Sequence, residues 1–231
     1  MKRIVALSLA LLAIVVATAS SRLEKHGHYA SLSVDGSPYV ILGGELGNSS
    51  ATCDADIERI FPKLARMNLN TVLVPAYWEL TEPVEGEFDF SLTDKVIDEA
   101  RRNGLRVVFL WFGAWKNSMS CYAPAWFKTD TERFPRARTA TAKPLEIASA
   151  FSPDVLEADR RAFAAWLRHI ADTDKDGTVI MVQIENEIGM LEDARDHSKL
   201  AEAEYAKGVP AELMDYLVAN ASRLHPSLAA S

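Results

Sequence analysis

Several things are scarce in this sequence, and each scarcity excludes a class. There are two cysteines in 231 residues, Cys53 and Cys121. Two cannot form a disulfide scaffold, and a chain of this length builds a core without one. No CxxC and no His/Cys spacing of the zinc-binding kind occurs, so neither a structural metal nor a cofactor is expected. Basic charge is also short, with 25 Lys and Arg against 32 Asp and Glu for a net charge of −7. That leaves no basic surface to attract nucleic-acid phosphates. Long apolar runs are missing too. The stretch from Ile4 to Val16 falls short of the roughly 20 residues a spanning helix needs. It follows Met1-Lys2-Arg3 and precedes Ala17-Thr18-Ala19, the pattern of a secretory signal peptide. The expectation is a leader over residues 1–19, a mature chain over 20–231, export to the periplasm or beyond, and no membrane part after cleavage.

The rest is ordinary globular composition, 48% hydrophobic and 25% charged, enough for one sizeable core. No internal repeat is visible. The signal-peptide junction and the polar stretch from Glu192 to Ser198 read as flexible. Between them strands and helices alternate. Tyr39 to Leu42 is a short apolar run ending in Gly43-Gly44, a strand with a sharp exit. Ile57, Ile60, Phe61 and Leu64 mark one face of a helix, which Pro62 either kinks or begins. Thr71 to Val74 is a second strand, and Ser91 to Asp94 has the form of a capping box for a helix ending at Gly104. Leu105 to Phe112 is a third strand, followed by a long irregular segment to about Phe151. Ser152-Pro153 opens a helix carrying Phe163, Trp166, Leu167 and Ile170 at core spacing. Asp172-x-Asp174-x-Asp176-Gly177 imitates a calcium loop, but its twelfth position is Gln183, so it reads as a polar turn. Thr178 to Ile184 is the fourth strand, and Pro210 to Asn220 a further helix.

Strands apolar on both faces and separated by helices imply a parallel sheet covered by helices. Gly43-Gly44-Glu45-Leu46-Gly47 lacks the dinucleotide fingerprint, and Glu45 would repel a pyrophosphate. Polar and aromatic residues gather just past each strand instead: Glu45, then Tyr77, Trp78 and Glu79, then Trp115 and Asn117, then Glu185 to Glu187. A (β/α)8 TIM barrel brings such strand ends to one face, where barrel enzymes keep their sites. The expected fold class is therefore α/β, a (β/α)8 barrel, with about four β/α units present. Cys53 and Cys121 each follow a strand, at the ends of the first and third, which is expected to place them on the same face of the sheet. Whether they are bridged or free is left open by the sequence.

Gln183-Ile-Glu185-Asn186-Glu187 resembles the Q-x-E-N-E signature of the family 35 glycoside hydrolases, which are mostly β-galactosidases. Trp78-x-x-x-Glu82-Pro83, Gly86-Glu-Phe88-Asp-Phe90 and Pro124-Ala125-Trp126 accompany it in the family's order. The resemblance implies a retaining glycosidase, with Glu187 as general acid/base and Asn186 bonding the sugar 2-hydroxyl. Retention requires a second carboxylate about 5–5.5 Å from the first. Glu185 then supports Glu187 from behind, paired to a cation or a backbone amide, or is a solvated loop carboxylate. Strand alternation alone would put Asn186 and Glu187 on opposite faces, so the pleat is expected to break there. Tyr77, Trp78 and Trp115 either pack on sugar rings or belong to the core, with Glu79, Asn117 and Glu45 at the rim. Trp166 reads as core.

The sequence also departs from the family's common pattern. Lys116-Asn117-Ser118 stands where the family has A-E-W, and Pro75 stands where it has a tyrosine on the second strand. Terminal β-galactosides lead as substrates, with related plant-polysaccharide glycosides behind them. The nucleophile belongs near a seventh strand, and only four strands can be counted here, where a full barrel takes about 250 residues. The expectation is an N-terminal part of a longer enzyme, inactive by itself. Two other classes stay open, a non-catalytic carbohydrate-binding remnant and a secreted interaction protein. Nothing in the sequence sets an oligomeric state.

Overall fold

The chain begins with polar, turn-rich sequence that forms a sheet of its own. The computed structural model describes residues 21–116, 121–190 and 192–229; the expected leader and Asn117 lie outside them. Strands β1 (Ser21–His26), β2 (Tyr29–Val34) and β3 (Ser37–Pro38) pair antiparallel in that order. Asp35 and Gly36, at φ 52 and 77, make the two-residue turn between β2 and β3. Both central residues have positive φ, as a type I′ hairpin requires. This stretch, expected to be a flexible junction, is instead ordered across the amino ends of the main strands. Ser21 Oγ donates to Ile180 O, the Tyr39 hydroxyl to Asn70 O, and Arg106 pairs with Asp35.

The main sheet has four parallel strands: β4 (Gly43–Glu45), β5 (Thr71–Tyr77), β6 (Arg106–Phe112) and, after the β7–β8 hairpin described below, β9 (Val179–Gln183). The molecule is thus mixed α/β with a parallel sheet. The first main strand does not coincide with Tyr39–Leu42. Val40 and Leu42 are 75% and 56% exposed, and pairing with β5 begins at Gly43. Pro75 is tolerated inside β5 for a simple reason. Leu73 O accepts from Leu46 N on the β4 side, so Pro75, two residues on, turns its missing N–H to the same edge, where β4 has ended.

Helix α1 (Asp54–Arg66) runs through Pro62, so the helix does not begin there, and Cys53 is its extended N-cap. A single turn, α2 (Trp78–Thr81), follows β5, and α3 (Ser91–Arg102) follows it. The expected capping box is not formed. The Asp89 carboxylate accepts from Ser91 N at 2.9 Å, and Gly104 turns the chain at φ 67. The segment expected to be irregular holds α4 (Ala125–Thr129) and a hairpin of β7 (Arg136–Arg138) with β8 (Pro144–Ala148). Then α5 (Pro153–Thr173) opens with Ser152 Oγ accepting from Val155 N. The acidic turn before β9 is a turn, as read. Asp174 accepts from Thr178 N and Val179 N and pairs with Arg101. The short helices α6 (Lys199–Tyr205), α7 (Ala211–Ala219) and α8 (Pro226–Ala229) close the described chain.

Alternation along the strands builds two cores. Val72, Val74 and Ala76 of β5 with Val107, Phe109 and Trp111 of β6 face α1, α3 and α5. Trp166 is fully buried there, with Nε1 donating to Thr93 Oγ1 at 2.9 Å. The opposite face carries a smaller cluster of Tyr77, Val108, Leu110, Phe112, Ile180 and Val34. β9 pairs with β6 alone, across a register shift at Val107/Val108, and Met181, Ile184 and Ile188 beside it are exposed. No helix among the described residues is long and apolar enough to cross a membrane.

Candidate active site

Because the four main strands are parallel, their carboxyl ends lie along one sheet edge. β9 stops at Gln183, the chain bends at Ile184 and Glu185, and Asn186 rejoins the sheet by one parallel bridge to Lys116. Asn186 is buried, its Nδ2 donating to Gln183 Oε1 at 2.8 Å. Glu187 comes next at φ 53, a left-handed conformation costly for a residue with a Cβ and frequent where function constrains the backbone. The pleat does break where expected.

Lys116 is only 3% exposed, and its ammonium pairs with Glu187 Oε2, whose side chain is 60% exposed. It also lies 5.1 Å from the centre of the Phe112 ring. An ammonium sunk into the exit of β6 thus holds an open carboxylate at the exit of β9.

Behind this pair lies a second one. Asp159, on the buried face of α5, accepts from Trp111 Nε1 at 2.7 Å and from Ala114 N at 2.8 Å. The Glu185 carboxyl is hydrogen-bonded to it. Burial first, and then the Asp159 charge, push the Glu185 pKa up to about 8. Burial raises Asp159 as well. Glu185 is half-buried, and the partner beside it among the described residues is another carboxylate rather than a cation or a backbone amide. A cavity of about 230 Å³ borders the two, walled by Trp111, Trp115, Phe163 and Ile184.

The remaining expected contacts divide. Tyr77 and Trp78 are core rather than open platforms. Trp78 Nε1 donates to the buried Glu82 at 2.8 Å, and its ring packs on Trp126 and Phe127. Tyr77 packs on Phe112 and Tyr122. Its hydroxyl is buried without a well-aligned partner, beside the Ala51 backbone, and burial pushes its pKa upward. Glu79 is half-buried and pairs with Lys128 at 3.2 Å, while Glu45 is exposed. Trp115 is half-buried, with its ring over the β7–β8 hairpin and Nε1 unpartnered. Both thiols are free, Cys53 exposed and Cys121 half-buried. Among the described residues no cluster of His, Cys, Asp and Glu is placed to hold a metal ion.

Sequence reasoning missed Lys116 and Asp159 as parts of this edge. The signal for Asp159 was present: it lies four residues after Val155 and four before Phe163, a charge inside an apolar helix stripe.

The profile of Glycosyl hydrolases family 35 matches residues 31–225. The chain belongs to that family. It is similar to a β-galactosidase of Xanthomonas manihotis, 30% identical over 177 residues, covering 73% of this chain and 26% of that protein. Among solved structures it is similar to exo-beta-1,4-mannosidase Op5Man5 from Opitutaceae bacterium strain TAV5. There the TM-score is 0.49 at 18% identity, over 66% of this chain and 26% of that one. The chain thus spans about a quarter of the length of each.

Proposed function

We propose that this chain carries the acid/base half of a retaining β-galactosidase of (β/α)8-barrel type, with Glu187 as proton donor and the nucleophile outside the described residues. The observation that carries the reading is Glu187 itself. It stands exposed at a strand's carboxyl end, held at φ 53, with Asn186 fixed beside it by Gln183 and Lys116. A strained, over-determined backbone is what holding one carboxylate at one point requires. The exposed apolar residues along both sheet edges, Val40 and Leu42 at one and Met181 and Ile188 at the other, are consistent with further strands packing there. We place the working protein outside the cytoplasm, with residues 1–19 as a cleaved leader; N-terminal sequencing of exported material, beginning at Ser20, tests this.

Lys116 sets a condition on the chemistry. A neighbouring ammonium favours the charged form of a carboxylate, whereas a general acid needs the proton. The negative charge of the nucleophile, about 5–5.5 Å from the acid/base in a retaining site, offsets Lys116 and lets Glu187 take a proton. The same ion pair favours the second reading, a carbohydrate-binding protein that does not turn over.

The test is to supply the missing half, by fusion or co-expression of the remaining barrel sequence from a family relative. The assembled enzyme should hydrolyse aryl β-galactosides, and the 231-residue chain alone should not. Glu187→Ala in the assembled enzyme should slow poor leaving groups by roughly 100-fold or more while sparing activated phenols, which depart without a proton. Turnover by the isolated chain refutes the missing nucleophile. Indifference of poor leaving groups to Glu187→Ala refutes the assigned role. Sugar binding without turnover in the assembled protein establishes the second reading.

A further inference from the structure

A buried carboxyl against a partly buried one is unstable unless something is done about their charge. Asp159 already has a donor on each oxygen, Trp111 Nε1 and Ala114 N. Gly113 leaves that carboxylate its space: a Cβ there would run into Asp159 and the Trp111 indole. Glu185 Oε2 is buried with no N–H or O–H donor against it. Two carboxylates at this range cannot both stay charged, but one proton between them turns repulsion into a hydrogen bond. The donors on Asp159 favour its anion, so the proton belongs to Glu185.

We propose that Asp159 and Glu185 share a single proton and that the protonated pair is a positioning device, fastening the exits of β6 and β9 together so that Lys116 meets Glu187. Asp159 grips the β6 exit two residues before Lys116, and Glu185 lies two residues before Glu187. The functional meaning of the device rests on reading Glu187 as the acid/base; the shared proton does not. The groups facing Glu185 are few. On α5 they are Asp159 and Arg160, the latter held by Glu157 at 2.6 Å. The strand exits bring the Lys116–Glu187 pair, and Ala148 and Ala150 of the remaining wall bring no charge. No cation is hydrogen-bonded to Glu185, and the bordering cavity gives the proton a way out. When it leaves, two adjacent anions push the exits apart.

The test needs neither substrate nor turnover, so its failure is distinct from failure of the acid/base reading. The full chain is labelled with carbon-13 at glutamate carboxyls and nitrogen-15 at tryptophan indoles, and titrated by NMR. The Glu185 carboxyl should titrate near pH 8. The Trp111 indole proton and the Glu187 carboxyl, assigned with Trp111→Phe and Glu187→Gln, should step at the same midpoint. Glu185→Gln offers Asp159 an amide N–H in place of the acid O–H. It should abolish the step at Trp111 and hold that indole at its low-pH position. Asp159→Asn removes the neighbouring charge and should lower the Glu185 midpoint, while burial still holds it above the ordinary carboxylate range; if that variant does not fold, wild type and Glu185→Gln decide. Titration of Glu185 in the ordinary range overturns the shared proton. A Trp111 step that survives Glu185→Gln, or a Glu187 signal flat through pH 8 in the wild type, overturns the positioning role.

Discussion

Replacing Glu185 by glutamine should change how stability depends on pH, and the sign follows from the direction of its shift. The folded pKa of about 8 lies above the ordinary value of 4.5. Between those values the folded chain binds a proton that the unfolded chain has released, so stability falls as pH rises. The contribution is fully present below about pH 4.5 and lost by the time pH has passed through 8. Each pKa unit is worth about 1.4 kcal/mol. Allowing for the partial exposure of Glu185, the loss across the window is roughly 3–5 kcal/mol. Glutamine does not titrate and still donates to Asp159, so Glu185→Gln should match wild type near pH 5 and exceed it at pH 8.5. Urea denaturation followed by tryptophan fluorescence suits the measurement. With a slope of about 2–3 kcal/mol per molar for a chain of this size, the midpoints should part by on the order of 1–2 M at high pH. Other groups titrate over the same range, so the difference between the two proteins is the quantity to plot. Parallel profiles from pH 5 to 8.5 would show that Glu185 is ionised throughout, and the argument for its burial against Asp159 would fail.

Gly113→Ala should cost roughly 1–3 kcal/mol by overpacking, because the new methyl has only the Asp159 carboxylate and Trp111 indole to displace; an unchanged urea midpoint would contradict this. Glu82→Ala should cost about 3 kcal/mol, since it orphans Trp78 Nε1 and Gly86 N and leaves the Arg161 guanidinium only its longer pairing with Glu85, all three being 2.8 Å from a fully buried carboxylate. Arg161 is partly exposed, which keeps the figure at the low end, and a loss below about 1 kcal/mol would refute it. Thiol titration should find two free thiols per unfolded chain. In the folded chain Cys53 should react fast and Cys121 slowly, because burial raises the Cys121 thiol pKa; a single kinetic phase would count against that difference.

The elements that were legible in the sequence are those whose own period declares them. β5, β6 and β9 are apolar on both faces, and α5 carries Phe163, Trp166 and Ile170 at helical spacing. The Q-x-E-N-E run located Glu185 to Glu187 at a strand end, and the need to bring Asn186 and Glu187 to one site foretold the broken pleat. What was misread depends on contacts distant in sequence. Tyr39 to Leu42 is more apolar than Gly43 to Glu45, yet hydrogen bonding to β5 makes the second the strand. The hairpin over residues 21–38 was read as a loose junction although Asp35-Gly36 is a turn signal. Its strands are short and polar, and their docking partners lie up to 159 residues away. Trp78 was left between sugar platform and core; the partner that buries it, Glu82, lay in the same motif. Lys116 was passed over because nothing local distinguishes its buried charge from a solvated one, and Asp159 because its place inside the apolar stripe of α5 was not weighed.

A consistent device fixes the edge where the strands end. Loops that leave a sheet expose backbone N–H groups, and buried ones need acceptors. Here the loops past β5, β6 and β9 each have a buried carboxylate. Glu82 takes Trp78 Nε1 and Gly86 N past β5; Asp159 takes Trp111 Nε1 and Ala114 N past β6. Past β9, Asp196 takes Ser198 N and Oγ together with Arg138 N and Ser149 Oγ. That last set also explains why residues 192–198, polar enough to be read as flexible, are docked against the β7–β8 hairpin. All three carboxylates are at most 8% exposed, so their work is holding. Glu45, Glu79 and Glu187 are exposed or half-buried at the same edge, where a ligand can reach them. The division follows from the physics of the two tasks. A carboxylate whose oxygens are tied to buried N–H donors is held in place, and a carboxylate meant for proton transfer must keep one oxygen open to its substrate. Glu185 alone stands between the two groups, buried yet able to titrate. Its environment ties the state of one proton to the place where Glu187 stands.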